Sequence, residues 1–238
     1  MLRNHTLAAL APDDRAALYP HLAQRCVRRG EVLTSQGETV DDVYFPASAY
    51  LANIVTFRDG SSAEAFVMGC EGVSGLAAFL ADLPCAWGVE VAAPGEVFQL
   101  PASALRRRVE ESDDLRALLI RRAYDYQAQA ALAVACAGAH TIPQRLARLI
   151  LASTARLERA ELRLTQEDLA RLLGVQRTSV NAAALVLKAA GTMTYSRGVI
   201  RVTDRAALTR EACECIDLEE TLCRPAFRSQ ADRRPEPA

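Results

Sequence analysis

The sequence predicts an α+β fold in which a small antiparallel β-roll, one long helix and a winged helix-turn-helix follow one another. Three observations predict it. Between Gly30 and Leu100, short strand-like runs alternate with turn residues. From Asp113 to Ala139 the apolar residues recur mainly three and four apart. From Leu164 to Val202, two amphipathic helical stretches about a glycine are followed by two short strand-like runs.

Residues 6–29 read as two short helices divided by Pro12 and Pro20, with Leu7, Leu10, Leu18, Leu22 and Cys26 facing inward. The pattern then changes to Glu31–Thr34, Val43–Phe45, Tyr50–Phe57, Ser61–Met68, Trp87–Ala92 and Glu96–Leu100. Asp59-Gly60 between two of these runs is a hairpin signal. Short, evenly spaced strands with turn residues between them indicate a sandwich or barrel-like roll, so residues 1–112 form the first domain. Pro101 opens a helix that closes it.

The next segment, 113–140, is a long helix capped by Ser112 and ending at a hinge near His140 and Pro143. Its apolar stripe runs through Leu115, Leu119, Ala123, Tyr126, Ala130 and Ala133. A helix of about 27 residues spans about 40 Å, longer than a small roll covers. The stripe is therefore expected to be a homodimer interface, with the Ala-rich end allowing close approach.

Residues 141–217 form the last domain. Helix 142–157 backs it. Thr165 caps a helix, with Asp168 three residues on in an approximate capping box, and Gly174 ends that helix in the left-handed region. A second helix, about 176–190, turns Val180, Ala183, Ala184 and Leu187 inward and leaves Arg177, Thr178, Asn181 and Lys188 outward. Met193–Tyr195 and Val199–Val202 flank a basic, Gly-bearing turn, a hairpin wing. A helical pair of this kind lays its second helix in the major groove of DNA. A final helix is expected over Asp204–Ile216, and residues 218–238 read as a polar, flexible tail.

Charge supports the same division. Residues 141–205 hold eleven basic and five acidic residues, whereas residues 1–140 hold twelve basic and seventeen acidic. A basic module joined to an acidic one suits a nucleic-acid reader attached to a part that avoids phosphate. No apolar run reaches the length of a membrane span and the N-terminus lacks a signal-peptide core, so a cytoplasmic protein with reduced cysteines is expected. No nucleophile signature such as G-x-S-x-G is present, and an enzyme is not expected.

The order of these parts, with LTQEDLARLLGVQRTSV and HTIPQRLARLIL, resembles the CRP/FNR superfamily of bacterial transcription regulators. The resemblance covers residues 5–217 and implies a cyclic-nucleotide-binding-like (cupin-like) roll, a homodimer, a near-palindromic double-stranded DNA site and contact with RNA polymerase. Carried over residue by residue, it implies base contacts from Arg177, Thr178 and Asn181. Thr178 stands where the cyclic-AMP-responsive branch has Glu, and Ala182 where it has a second Arg. Arg177 is able to grip guanine O6 and N7, and Asn181 to address adenine. Thr165, Gln176 and Ser179, with Lys188 and Arg197 more weakly, fall where phosphate is contacted.

The sensory cassette departs from the family. Gly75 stands at its glycine, but Leu76 replaces the ribose-binding Glu, and Cys85-Ala86 occupy the place of the phosphate-binding Arg-Ser. A buried cyclic phosphate would lack its forked counter-charge, so cyclic AMP is not expected. Val73, Ser74, Gly75, Leu76, Phe79, Cys85 and Trp87 are the candidates for lining a pocket for another effector, or they fill the roll. The superfamily's cysteine-held iron–sulfur centre is unsupported, because Cys26, Cys70, Cys85 and Cys136 are widely spaced with no C-x-x-C. No histidine singles out a haem site. Cys213, Cys215 and Cys223 form the only local cysteine grouping, and their spacing matches common zinc patterns poorly; no metal is expected. The function read from the sequence is thus a DNA-binding regulator with a non-cyclic-AMP effector or none. The alternatives are a ligand-independent binder set by its abundance and a thiol-redox sensor.

Overall fold

The computed structural model describes residues 3–157 and 161–223. Two short helices, α1 (His5–Ala8) and α2 (Pro12–Leu18), lead into the roll. Its strands are β1 (Ala23–Val27), β2 (Val32–Thr34), β3 (Asp42–Pro46), β4 (Tyr50–Thr56), β5 (Ser62–Met68), β6 (Gly88–Ala93) and β7 (Gly95–Pro101), with helix α3 (Leu76–Ala81) between β5 and β6. They form two antiparallel sheets, ordered β1-β7-β3 and β2-β6-β4-β5. Val27, Tyr44, Leu51, Met68, Val89 and Val97 from both sheets pack between them. The Asp59-Gly60 turn joins β4 to β5 as expected, with Gly60 N donating to Phe57 O.

Helices α4 (Ala102–Glu111) and α5 (Asp113–Ala139) follow. Ser112 caps α5 by accepting from Leu115 N at 3.1 Å. Beyond the hinge come α6 (Ile142–Leu157), β8 (Glu161–Arg163), α7 (Gln166–Leu173), α8 (Arg177–Ala189), β9 (Met193–Ser196), β10 (Val199–Val202), α9 (Arg205–Glu211) and α10 (Cys215–Cys223). Leu146, Ile150, Leu169, Val180, Leu187 and Ile200 are almost wholly buried in the core of this domain. Among the described residues no helix is long and apolar enough to cross a membrane.

Four expectations are corrected. Residues 23–27 are a strand paired with β7, not helix, and Cys26 is exposed. Only Val27 of that strand is buried, so β1 owes its form to pairing with β7, which a helical-period reading does not see. Residues 76–81, to which the sequence assigned no element, are helical. The last helix is two, because extended backbone at Ala212 (ψ 154°) interrupts it. The chain then stays helical to Cys223, so the tail begins later than residue 218; residues 224–238 lie outside the described residues.

The fourth correction concerns α5. Leu115 and Leu119, with Ala123 and Tyr126, pack into the roll's own core against α1, β3 and α3. Tyr126 Oη accepts from Val73 N at 2.7 Å and donates to Val73 O at 3.1 Å. Ala133 lines a cleft between β5 and α6, and Ala130 is half-buried. The stripe assigned to dimerisation is thus largely spent on the chain's own domains. The exposed apolar face is a different one, carrying Ile120, Tyr124 and Val134, which are 55%, 64% and 76% exposed.

Candidate nucleic-acid interface

The helix pair is assembled by local chemistry. Thr165 Oγ1 accepts from Asp168 N at 3.2 Å, and Thr165 N donates to Asp168 Oδ2 at 2.6 Å, which completes the capping box. At the other end of α7, Gly174 sits at φ 62°, where a side chain would strain the backbone. Val180, Ala183, Ala184 and Leu187 anchor α8 inward. Gln176, Arg177, Thr178, Asn181 and Lys188 are exposed, as the helical period requires, and Ser179 is partly covered.

Three of the exposed side chains are joined. Arg177 Nε donates to Gln166 Oε1 at 3.2 Å, and Gln166 Nε2 donates to Asn181 Oδ1 at 3.0 Å. Gln166, the first residue of α7, therefore links the two side chains suited to reading bases. The sequence reading passed over Gln166; its place just after the cap, on the helix facing α8, was the available signal. While Asn181 Oδ1 accepts from Gln166, one of its oxygen lone pairs is occupied and its amide N–H groups suit the base-reading role. Leu185 was also overlooked. It lies one turn beyond Asn181 on the same face and is 56% exposed.

The wing completes the surface. β9 and β10 pair around Arg197-Gly198, where both residues have positive φ (49° and 75°), the geometry of a two-residue type I′ turn. Gly198 takes this conformation freely, whereas Arg197 is held in it, exposed at the tip. Tyr195 Oη donates to Leu164 O at 3.1 Å and so ties the wing to the start of α7. Arg201 is paired with Glu161 across the sheet. Thr165 differs from its expected role, because its hydroxyl donates to Asp168 Oδ2 at 2.6 Å and is committed to the cap rather than offered to phosphate.

The seven candidates, for an effector pocket or for filling the roll, occupy several different surroundings among the described residues. Val73, Leu76 and Phe79 are buried in the core shared with Leu115 and Leu119. Ser74 Oγ accepts from Tyr44 N at 2.9 Å, and Gly75 forms the left-handed start of α3. Cys85 is buried beside Gly37 and Glu38, bonded to both through its backbone, and Trp87 packs edge-on to Phe66.

The cysteines also regroup. Cys213 and Cys215 lie with Cys136 of α5 and His140, its C-cap; the side chain of Cys223 lies outside the described residues. Burial and the neighbouring Cys136 push the Cys213 thiol well above its ordinary value.

Comparison with known proteins follows the same division. Residues 24–112 match the cyclic nucleotide-binding domain family, and residues 144–211 match the Crp-like helix-turn-helix domain family. The structure of FixK2 from Bradyrhizobium japonicum superposes with a TM-score of 0.70 at 17% identity, over 81% of this chain and 98% of that one. CLP from Xanthomonas campestris, described as a c-di-GMP responsive global regulator, gives 0.66 at 14%, over 81% and 99%. A CRP-family transcriptional regulator from Thermus thermophilus gives 0.65 at 19%, over 79% and 96%. At these identities the likeness carries the fold. No curated protein matches the chain.

Proposed function

From the premise that the chain belongs to the CRP/FNR superfamily of DNA-binding transcription regulators, we propose that it acts as a homodimer on a near-palindromic double-stranded DNA site and needs no cyclic nucleotide. The observation that carries this reading is the exposed Arg177–Gln166–Asn181 chain of hydrogen bonds at the N-terminal end of α8. In the major groove, Arg177 takes guanine and Asn181, released from Gln166, takes adenine. Thr178 lies beside them, and Leu185 suits a thymine methyl. Gln176, Ser179, Lys188 and Arg197 supply phosphate contacts, which set register rather than sequence.

The dimer in this proposal uses the Ile120–Tyr124–Val134 face of α5, since exposed apolar side chains along a helix of 27 residues gain by mutual burial. The absence of a cyclic-nucleotide requirement rests on Leu76 and Cys85-Ala86 in the cassette and on the apolar filling of the roll. That filling favours a binder competent without a small-molecule effector.

Selection of bound fragments from a random DNA library by the purified protein, with no additive, tests the whole reading. Enrichment of a near-palindromic motif is expected, and Arg177→Ala should abolish the enrichment while leaving low-salt binding to random DNA. No binding at any salt concentration would refute the assignment of residues 164–202.

A further inference from the structure

We propose that Cys136, His140, Cys213 and Cys215 form a site for a single tetrahedrally coordinated, thiophilic divalent cation, zinc by its chemistry, that clamps the winged domain to the end of the long helix. The four come from two places. Cys136 and His140 are one helical turn apart at the last turn and C-cap of α5. Cys213 lies in the break between α9 and α10, and Cys215 opens α10. Their ligand atoms all lie within 4.8 Å of one another. Cys136 Sγ is 3.6 Å from Cys213 Sγ, and Cys215 Sγ is 3.6 Å from His140 Nδ1.

These distances suit one ion. With zinc–sulfur bonds near 2.3 Å and zinc–nitrogen bonds near 2.0–2.1 Å, a tetrahedron has sulfur–sulfur edges of about 3.8 Å and sulfur–nitrogen edges of about 3.6 Å. The two measured pairs are already at such edges, and the most distant atoms need move only about 1 Å. A polynuclear iron–sulfur cluster needs its thiolates farther apart than this. Three soft sulfurs and an imidazole select zinc over magnesium or calcium.

The surroundings fit a closed, structural site. Cys136, Cys213 and Cys215 are 1–3% exposed, with Leu132 packed against them. His140 presents Nδ1 to the sulfurs, while its Nε2 lies 3.9 Å from Glu214 Oε1. A carboxylate on the far side of a ligating histidine helps to orient the ring. On binding, each of three thiols gives up its proton to solvent, so M²⁺ and three thiols become a complex of net charge −1 and three protons. Without an ion, burial and the neighbouring Cys136 hold the Cys215 thiol above its ordinary value, and Arg148 of α6 opposes that rise.

The site bridges the hinge. His140 is the residue at which α5 ends in extended backbone, and Cys213 and Cys215 lie at the junction of the last two helices of the winged domain. A bound cation therefore restricts the angle between α5 and the DNA-reading surface. The cation site stands apart from the DNA-binding reading, because its test reads metal directly.

The test uses the full chain, purified under reducing conditions without chelator. Metal analysis should find about one equivalent of zinc per chain. After chelation, added Co²⁺ should give the intense visible bands of tetrahedral cobalt with thiolate charge transfer, lost again on adding Zn²⁺. Cys136→Ser, Cys213→Ser and Cys215→Ser should each lose the equivalent, and Cys26→Ser at the exposed strand should keep it. The chelation and cobalt arms use the wild-type chain, so the test survives any variant that fails to fold. Absence of retained zinc together with weak, octahedral cobalt bands overturns the proposal. So does metal binding that persists in the Cys213→Ser/Cys215→Ser double variant. A Cys136–Cys213 disulfide in metal-free protein, seen by alkylation and mass spectrometry, also overturns it and favours a thiol-redox role.

Discussion

Arg29, on the turn leaving the first strand of the roll, pairs with Asp168, the residue that completes the capping box of α7, across 139 positions of chain. One carboxylate thus joins the roll to the first turn of the helix that carries Gln166. Arg171 reaches the other oxygen of Asp168 at 3.3 Å. Burial pushes this carboxyl up, but hydrogen bonds from Arg29 and Thr165 outweigh it and hold it below the ordinary value of 3.8. Its stabilising contribution is present above that pH and is lost as pH falls through the folded value.

The pair predicts a graded response. Arg29→Ala removes a partly exposed ion pair and is expected to destabilise the protein by under about 1 kcal/mol. Asp168→Ala removes the same pair together with the capping box, which adds about 1 kcal/mol. Thermal or urea unfolding of the two variants checks the order. Equal losses would mean that the cap contributes nothing.

On the DNA side, Arg177→Ala should reduce discrimination at one base position by about 1–3 kcal/mol. Gln166→Ala is expected to act in the same direction but more weakly, because it frees Arg177 and Asn181 without removing them. Arg197→Ala should instead weaken specific and random DNA alike and lower the salt slope by about 1. Competition binding at two or more salt concentrations separates these patterns.

Glu64 supplies a pH prediction. Its Oε1 is enclosed where β5 meets α6 and α7 and has no hydrogen-bond partner among the described residues. Burial raises its pKa to about 8, against the opposing charge of Arg171. The folded value lies above the unfolded 4.5, so stability is full below about pH 4.5 and falls as pH rises through about 8. Glu64→Gln keeps the shape and removes the charge. Its melting temperature should match the wild type in acid and exceed it above pH 8; a constant offset at all pH values would show that Glu64 does not titrate there.

The two faces of α5 are separable by substitution. Ile120→Glu with Val134→Glu should convert the proposed dimer to monomer, measured by sedimentation, with little loss of monomer stability. Leu119→Ala, on the buried face, should destabilise the fold by about 2–5 kcal/mol. A dimer that survives the double substitution places the interface elsewhere.

Local chemistry made much of this protein legible in its sequence. Ser112, Thr165, Gly174 and the Arg197-Gly198 turn specify their caps and turns through neighbours a few residues away, so the bounds of α5 and α7 and the type of the wing follow from the chain alone. The outward set on α8 follows from a period of 3.6. Tertiary structure decided what depends on distant partners. Strand β1 exists because β7 pairs with it. The apolar stripe of α5 states that it will be buried but not against what, and its own roll reached Leu115 and Leu119 before any second chain. Cys136 and Cys213 are 77 residues apart; only the packing of α10 on the end of α5 brings their sulfurs and His140 to one point, and no spacing rule in the sequence encodes that meeting.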